Sequence, residues 1–358
     1  MKLLVVHPGA SYSTHDVYVA LYQALEAQGH ELHGYLLDSR IERVGSWLNY
    51  LWRKAGKPDP RPSASDVIYR ASLEALERAL RWEVDGALVI SAMYFHPATF
   101  ILMRRAGIKT GLVFTESPYD DNAQFRTAEL ADVCWTNERS SVRMLRYSNP
   151  QTHYLAHGYN AAAHASVGEV DDDVPEHDVV FVGSCFSERV EALSAVDWSG
   201  IDFGLYGEWR GLPARHKLRQ YVRGGITDNR VALELYRRAK IGLNLYRLSM
   251  GFERNAPRVA RADSLNPRAY DLAATGAFQI SDARAEVADV FGDSVPTFNR
   301  PDQLEGLLRH YLADADARRT HADEARRRVK PHTYAARAAQ LTAQLTDAWA
   351  GATLAKGA

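Results

Sequence analysis

The sequence predicts an α/β protein made of two domains, each built on a parallel sheet. Short apolar segments alternate with amphipathic helical segments along most of the 358 residues, an order typical of parallel sheets covered by helices on both faces. This length suits two domains, and a hydrophobic content of 46% suffices for two cores. Residues 161–177 are small, acidic and poor in core residues, so we place a boundary there. The predicted domains are residues 1–160 and 161–331, followed by a C-terminal helix at residues 332–358.

The first half contains five apolar segments with helical segments between them. The predicted strands are residues 2–6, 31–37, 86–91, 110–114 and 132–136, and the predicted helices are residues 14–28, 65–82 and 97–106. Residues 40–61 interrupt this alternation with Trp47, Tyr50, Leu51 and Trp52 set between charges. We interpret them as a surface helix that docks by its aromatic side chains and is followed by a rigid linker. The alternative is a segment that binds an acceptor or a partner.

The second half repeats the same alternation. The predicted strands are residues 178–182, 203–206, 241–246 and 277–281, and the predicted helices are residues 187–195, 229–239, 267–275, 301–312 and 332–349. The third of these helices has both ends marked: Asn266 is a good N-cap, Pro267 fits the first turn, and Gly276 suits the left-handed position after the last turn.

The start of that helix predicts a binding site for a phosphate or diphosphate. A helix that starts at Asn266 offers unpaired backbone N–H groups and the positive end of the helix dipole, and Arg268 adds a cation beside them. Asp271 follows one turn later and can accept hydrogen bonds from neutral hydroxyls such as a ribose diol. The segment therefore predicts a nucleotide-diphosphate site.

Polar residues and glycines at the ends of other strands extend this prediction. Gly183 and Ser184 follow an apolar strand, where phosphate sites lie in α/β proteins, and Arg189 comes within the next helical turn. Tyr206 and Gly207 end another strand in the same way, and Tyr206 could stack on a base. The alternative is that these are ordinary strand-to-helix turns with aromatic residues filling the core, which we prefer for the adjacent Trp209.

Two further features lie between the strand at residues 203–206 and the helix at residues 267–275. Asn244 and Tyr246 belong to an apolar strand, in which a buried polar side chain needs a partner. The segment after it is basic and irregular, and is either a solvated loop or a mobile cover that neutralises a departing diphosphate; its arginines are Arg247, Arg254, Arg258 and Arg261. Asp263 ends this segment, and with Asp271 it could line one cleft and hold sugar hydroxyls.

The first half offers fewer candidate residues. The loop after the first strand has glycine and hydroxyls but no G-x-G-x-x-G, so the dinucleotide fingerprint is absent. The candidates in or near this loop and at the carboxyl ends of other strands are Gly9, Ala10, Ser11, His15, His96, Glu116 and Asp120. A lone histidine in such a position is more often structural than catalytic. We find no convincing Ser/His/Asp order and no metal cluster in the sequence.

Composition excludes several classes of protein. A net charge of −1 argues against a strongly basic nucleic-acid binder. The two cysteines, Cys134 and Cys185, lack metal-ligand spacing, which favours a reduced, cytoplasmic setting. No run of about 18 apolar residues exists, so no membrane span is expected. The short apolar run at residues 2–6 is better explained as the first strand than as a signal peptide.

The order and spacing of these motifs resemble one family. Residues 178–345 are similar to the CgeB-like (spore-maturation-type) glycosyltransferases. The segments that carry the resemblance are residues 181–184 with Arg189, residues 205–209, 235–244, 266–282 and 290–292, and residues 332–334 with Arg337. The first half resembles only the general fold.

The resemblance implies the GT-B architecture, with two facing Rossmann-like domains and a final helix that returns to the first. It also implies a nucleotide-sugar donor, with UDP favoured, bound mainly by the second domain, an acceptor held mainly by the first, and transfer with retention without a metal or other cofactor. Arg189 and Arg268 would stabilise the diphosphate and Asp271 would hold the ribose. The E-x7-E interval of related retaining families is occupied here by Asp263 and Asp271, which are each one methylene shorter.

Three alternatives remain open from the sequence. One is a phage-type DNA-base glycosyltransferase, in which a basic cluster contacts phosphates; that cluster is Arg210, Arg215, Lys217, Arg219 and Arg223. Another is a nucleotide-sugar epimerase, which would need acid or base groups such as His96 or Glu116. The last is a non-catalytic scaffold that binds a nucleotide sugar without turnover.

Overall fold

The computed structural model describes residues 1–354, except for residues 11, 57–60, 166–173, 226–227, 252 and 254. The chain divides into two compact units. The first is Met1–Ala156 together with the segment that begins at Ala335, and the second is His157–Tyr334.

The first unit is built on a six-stranded, fully parallel sheet with strand order β2-β1-β3-β4-β5-β6. Its strands are β1 Lys2–His7, β2 Glu31–Leu36, β3 Gly86–Ile90, β4 Lys109–Phe114, β5 Val133–Thr136 and β6 Thr152–Tyr154. β1 lies between β2 and β3, with Val5 opposite both Gly34 and Leu88. Because helices cover both faces, β3 is buried along its whole length, as its unbroken apolar sequence predicts.

The first six helices connect these strands. They are α1 His15–Ala27, α2 Leu37–Lys54, α3 Ala64–Arg81, α4 Pro97–Arg105, α5 Asp121–Ala128 and α6 Val142–Ser148. α3 begins with a capping box, in which the Ser63 hydroxyl accepts the Asp66 amide and the Asp66 carboxylate accepts the Ser63 amide. α5, α6 and β6 are absent from the sequence prediction because these segments are short and carry few periodic apolar residues.

The aromatic residues of α2 depart from the prediction. The helix is present, but it does not dock by these side chains: Trp47 is 52% exposed and Tyr50 57% exposed. α2 instead buries Leu37 and Val44. α2 packs against α3, where Gly45 of α2 lies beside the Val67 side chain of α3. The predicted rigid linker includes residues 57–60, which lie outside the described residues.

The second unit has its own six-stranded parallel sheet, with strand order β12-β11-β10-β7-β8-β9. Its strands are β7 Val179–Val182, β8 Phe203–Tyr206, β9 Val222–Gly224, β10 Ile241–Asn244, β11 Gln279–Asp282 and β12 Thr297–Phe298. Its helices are α7 Ala161–Ala165, α8 Ser187–Ser194, α9 Asn229–Arg238, α10 Pro267–Thr275, α11 Ala285–Phe291, α12 Leu304–Ala313 and α13 Ala315–Val329. Trp209 is 2% exposed and belongs to the core, as we preferred. The fold class predicted from the sequence is therefore confirmed.

The last helix, α14 (Tyr334–Leu354), packs on the sheet of the first unit. The Trp135 indole donates to Gln344 Oε1 at 2.7 Å, and Gln340 Nε2 donates to the Tyr154 carbonyl at 2.8 Å. A Cβ on Gly86 would lie 2.2 Å from the Trp349 ring, so this glycine makes room for the helix. Among the described residues, no helix is long and apolar enough to cross a membrane.

Candidate functional site

The start of α10 has the local structure that its sequence predicts. The Asn266 side-chain oxygen accepts the Ala269 amide at 3.1 Å, Pro267 occupies the first turn, and Gly276 ends the helix at φ 77°. Asn266 Nδ2 also donates to Asn244 Oδ1 at 3.0 Å. Because Asn244 is the last residue of β10, this contact places the positive end of α10 at the carboxyl edge of the sheet.

Asn244 is the polar residue that the sequence places inside an apolar strand. It is fully buried, and its partners are other side chains. Its Oδ1 accepts from Asn266 and, at 3.3 Å, from Arg268 Nη1. The expectation that this amide requires a partner is thus confirmed, and its role is to align the start of α10.

Two arginines converge on one carbonyl oxygen beside this helix start. Arg189 Nε donates to the Leu245 carbonyl at 3.0 Å, and Arg268 Nη1 donates to the same oxygen at 3.3 Å. Both guanidinium groups also lie over the Phe181 ring, at 5.5 and 5.0 Å from its centroid. Like charges held this close repel each other, so an anion bound between them would gain from both.

The surroundings of Arg268 leave part of its hydrogen-bonding capacity unused. Its hydrogen bonds to Asn244 and Leu245 go to neutral oxygen atoms. Its Nε is buried and has no hydrogen-bond partner among the described residues. A buried cationic donor without a partner is costly, and a bound phosphate oxygen would satisfy it.

Gly183 and Gly207 bring two backbone turns close together at this edge. Gly207 has φ 108°, and a Cβ there would lie 2.3 Å from the Gly183 carbonyl oxygen. A Cβ on Gly183 would lie 2.9 Å from Arg268 Nη2. Only glycine fits both positions without displacement. The neighbouring Ser184 contributes its carbonyl, which accepts Arg189 Nη1 at 3.1 Å.

The basic segment after β10 is tied down by a carboxylate that we did not predict. Glu188 accepts the backbone amides of Leu248 and Ser249 and the Ser249 hydroxyl. Burial alone would raise the pKa of Glu188, but these hydrogen bonds lower it, so the group stays ionised. Glu188 precedes Arg189, so α8 supplies both a cation for the site and an anchor for the segment.

The described arginines of this segment contact other protein groups and do not form a cationic cover for a diphosphate. Arg258 pairs with Glu191 at 3.0 Å, and Arg261 pairs with Asp263 at 2.7 Å. Arg247 donates to the Ser249 carbonyl at 2.6 Å. The fourth arginine, Arg254, lies outside the described residues.

The two acids that match the E-x7-E interval each contact another side chain. Asp263 is buried and holds Arg261, and its carbonyl accepts the Glu286 amide at 3.1 Å. Asp271 Oδ1 lies 3.0 Å from His164 Nε2, and the Asp271 side chain is 16% exposed. A ribose diol would therefore compete with His164 for Asp271. No sequence pattern pointed to His164.

The two tyrosines proposed for the donor site are both buried. The Tyr206 hydroxyl lies 2.8 Å from His177 Nε2, and the residue is 8% exposed. Tyr246 is 2% exposed and carries the Arg284 guanidinium 4.4 Å over its ring. The Tyr246 amide donates to Asp282 Oδ1 at 3.0 Å.

Asp282, at the end of β11, is a buried acid that was not among the residues predicted from the sequence. Burial raises its pKa to about 6, although the charges of Arg284 and Arg189 oppose the rise. It therefore belongs to the electrostatic surroundings of Arg189. It could have been found from its place at the carboxyl end of an apolar strand.

In the first unit, the loop after β1 wraps around a carboxylate. The Ala10 amide donates to Asp38 Oδ2 at 2.9 Å, and a Cβ on Gly9 (φ 141°) would overlap the Asp38 side chain. His15 starts α1 next to His7, with 5.7 Å between ring centroids, and its Nδ1 is buried without a partner among the described residues. Ser11 lies outside the described residues.

The other candidates of the first unit lie at helix starts. The His96 ring accepts the Ala98 amide at 3.2 Å and so caps α4, which is a structural role. Glu116 and Asp120 belong to the turn before α5, where the Glu116 carbonyl accepts the Asp120 amide at 3.1 Å. Asp120 is the N-cap residue, without a side-chain cap.

The basic cluster considered for DNA binding is partly neutralised within the protein. Arg210 pairs with Glu208 at 2.7 Å, Arg219 donates to the Leu212 carbonyl, and Arg223 lies 4.0 Å from Asp202. Another basic region lies in the first unit, where a cavity of about 420 Å³ is lined by Arg139, Val142, Arg143, Arg146 and Tyr147. None of the predicted site residues lines it. Within the described ranges, no three histidine, cysteine or acidic side chains are grouped to hold a metal ion.

Part of the chain matches a known protein family. Residues 188–343 match the family described as "Glycosyl transferase-like". No curated protein matches the sequence. This range includes Arg189, Asn244 and the whole of α10, whereas Gly183 and Ser184 lie before it.

Solved structures resemble nearly the whole chain. Sucrose-phosphate synthase from Thermosynechococcus elongatus is 15% identical, with a TM-score of 0.64, over 98% of this chain and 99% of its own. A trehalose-6-phosphate synthase, studied for "enzymatic glycosyltransfer with retention", is 13% identical, with a TM-score of 0.59, over 96% and 99%. An E. coli structure described as "Trehalose-6-phosphate" bound with UDP-2-fluoro glucose is 13% identical, with a TM-score of 0.60, over 96% and 99%. The fold is that of GT-B glycosyltransferases.

Proposed function

We propose that this protein is a glycosyltransferase that moves a sugar from a nucleotide-diphosphate sugar, with UDP favoured, to a hydroxyl of its acceptor. The observation that carries the proposal is the pair Arg189 and Arg268, which share the Leu245 carbonyl beside the start of α10. Two cations, a helix start and the glycine turns at Gly183 and Gly207 are what a diphosphate requires. The match of residues 188–343 to a glycosyl transferase-like family supports the same activity.

We also propose that the chain is a CgeB-like member of that fold class and that transfer proceeds with retention. In this reaction the bond between the anomeric carbon and the phosphate oxygen breaks, and a bond to the acceptor oxygen forms on the same face. The acceptor proton passes to the leaving phosphate. The negative charge of the leaving diphosphate grows during this step, and in this proposal Arg189 and Arg268 stabilise it in place of a metal ion.

The test is release of nucleoside diphosphate from a panel of nucleotide sugars, with wild type compared with Arg268→Ala. Wild type should release UDP from one donor, and Arg268→Ala should lower kcat/KM by about 100-fold, because one charge-assisted contact to the developing charge is lost. The control is Arg210→Ala, which removes an exposed arginine paired with Glu208. Equal rates in wild type and Arg268→Ala would refute the proposal.

Measurements on an Asp271 variant, together with an assay of turnover, distinguish a glycosyltransferase from a scaffold that binds the donor without reaction. If Asp271 holds the ribose, Asp271→Ala should raise KM for the donor, although His164 then also loses its partner. A scaffold would bind the nucleotide sugar without releasing its diphosphate. An epimerase would change the donor sugar without any acceptor.

A further inference from the structure

Unpaired polar atoms cluster at the carboxyl ends of β4 and β5 in the first unit. The last registered pair of these strands is Phe114 and Thr136, so Thr115 and Asn137 stand side by side just beyond it. Thr115 Oγ1 and Asn137 Oδ1 are both buried without a hydrogen-bond partner among the described residues. Thr115 itself is 9% exposed. Native proteins rarely leave such atoms unpaired, so each calls for a bound partner.

A third unpaired atom belongs to the same cluster. Asp121 Oδ1 is buried without a partner in the described part of the chain. Its other oxygen accepts the Ser141 hydroxyl at 2.6 Å. Ser117 lies close to both acceptors: its carbonyl accepts Asn137 Nδ2 at 3.2 Å, and its single hydroxyl proton goes to Gln124 Oε1 at 2.6 Å. In Asp121 and Asn137, the atom that is hydrogen-bonded therefore fixes the orientation of the side chain and of its unpaired oxygen.

The chemistry of these atoms defines what they can bind. A carboxylate oxygen and an amide oxygen only accept hydrogen bonds, and a threonine hydroxyl can accept or donate. The charge nearby is negative: burial raises the pKa of Asp121, the nearby hydroxyls of Ser141 and Ser117 oppose this, and the carboxylates of Glu138 and Asp120 add to the rise. Hydroxyl groups of a neutral ligand suit this set, whereas a phosphate would be repelled.

We propose that Thr115, Asp121 and Asn137 form a binding site for the hydroxyl groups of an uncharged, carbohydrate-like acceptor. This inference rests on the proposed glycosyltransferase function for the identity of the ligand as an acceptor. The inference adds the class of the acceptor, which is a polyol or a sugar. The part of the acceptor that this site binds carries no phosphate.

Thr115→Val is the sharpest variant, because it removes only the unpaired hydroxyl and keeps the shape of the side chain. The probes are a matched pair, glucose and glucose 6-phosphate, together with maltose and myo-inositol, and binding is followed by ligand-observed NMR. At least one neutral probe should bind wild type, and Thr115→Val should weaken it by about 5-fold, as expected for one lost hydrogen bond. The melting temperature of Thr115→Val should equal or exceed that of wild type, because no protein hydrogen bond is broken.

Asn122→Ala, an exposed position on α5, is the control and should bind as wild type does. The inference is overturned if no neutral probe binds wild type, if glucose 6-phosphate binds more tightly than glucose, or if Thr115→Val binds unchanged. A lower melting temperature for Thr115→Val also overturns it, because the hydroxyl would then be satisfied within the protein or by buried water. UDP binding is measured separately, so failure of the donor site and failure of this site are distinguishable.

Discussion

Arg268 lies directly over Gly183, so that a Cβ on this glycine would meet the guanidinium Nη2 at 2.9 Å. The glycine that ends β7 therefore does more than allow a turn. It leaves room for a cation that comes from the start of α10 and lies over the Phe181 ring. The glycine after one strand and the arginine of a distant helix are thus in close contact, and a methyl group on the glycine would push the guanidinium away.

Gly183→Ala should weaken nucleotide binding more than it weakens folding. The new methyl group displaces Arg268, whose side chain is flexible enough to move, and we expect the Kd for UDP to rise by about 10-fold or more with the loss of one charge-assisted hydrogen bond. Isothermal titration calorimetry measures this directly. Gly211→Ala is the matched control, because a Cβ there meets nothing within 4 Å. Identical UDP affinities for the two variants would contradict the contact.

Asn266 should show two separable roles. Asn266→Ala removes the N-cap of α10 and should lower the free energy of unfolding by about 1 kcal/mol, whereas Asn266→Ser keeps a capping oxygen and should lose less. Both variants lose the contact with Asn244, so both should weaken UDP binding. Urea unfolding and calorimetry give the two readouts.

Asp228→Ala serves as the matched control for Asn266, since the Asp228 side chain caps α9 by accepting the Arg230 amide. It should lower stability by a similar amount and leave UDP affinity unchanged. If Asp228→Ala weakened UDP binding as strongly as Asn266→Ala, the effect of Asn266 would be one of general stability.

UDP binding should not depend on a divalent metal. Arg189 and Arg268 supply the positive charge that a metal ion would otherwise supply. The increase in melting temperature that saturating UDP produces should be the same with magnesium and with EDTA. A shift seen only with magnesium would show that the two arginines do not suffice.

His7 should make the protein less stable at acid pH. It is fully buried, and burial, with a smaller effect of His15, lowers its pKa from 6.5 to about 4. The unfolded chain takes up a proton at this histidine near pH 6.5, whereas the folded protein does so only near pH 4. The neutral His7 therefore contributes its full stability to the folded protein above pH 6.5, and this stability is lost as the pH falls from 6.5 towards 4. The loss should reach about 3 kcal/mol in the free energy of unfolding.

His7→Gln tests this, since the amide can accept the Gly9 amide and donate to Thr14 without titrating. Urea unfolding of the variant should show a smaller loss of stability between pH 7 and pH 4.5 than that of wild type. His310→Gln, at an exposed position, is the control. An unchanged pH dependence in His7→Gln would show that other groups cause the acid sensitivity.

The sequence predicted the elements that have strong local signals. The capped and terminated α10 and the apolar strands β3 and β7 agree with prediction within a few residues. α13 was missed because its sequence is mostly charged and buries only Ala322, Ala325 and Val329 along its length. Its apolar stripe is too narrow for a periodicity argument.

The residues of the candidate site could be selected from the sequence one by one, but the contacts between them could not be predicted. Glycine after a strand and arginine in a helix start are local patterns, so Gly183 and Arg268 could be selected. That Arg189 and Arg268 share one carbonyl depends on how α8, β10 and α10 meet in space, which no local pattern contains. The partners of Asp263 and Asp271 were missed for the same reason, since His164 lies 107 residues from Asp271 in the chain.

The most direct test of the account is calorimetric titration of wild type and Arg268→Ala with UDP, UMP and uridine. If Arg189 and Arg268 hold the diphosphate, UDP should bind wild type much more tightly than UMP, and uridine should bind weakly. Arg268→Ala should remove most of the preference for UDP over UMP. If uridine and UDP bound equally well, or if Arg268→Ala bound UDP as wild type does, the two arginines would not be the diphosphate site.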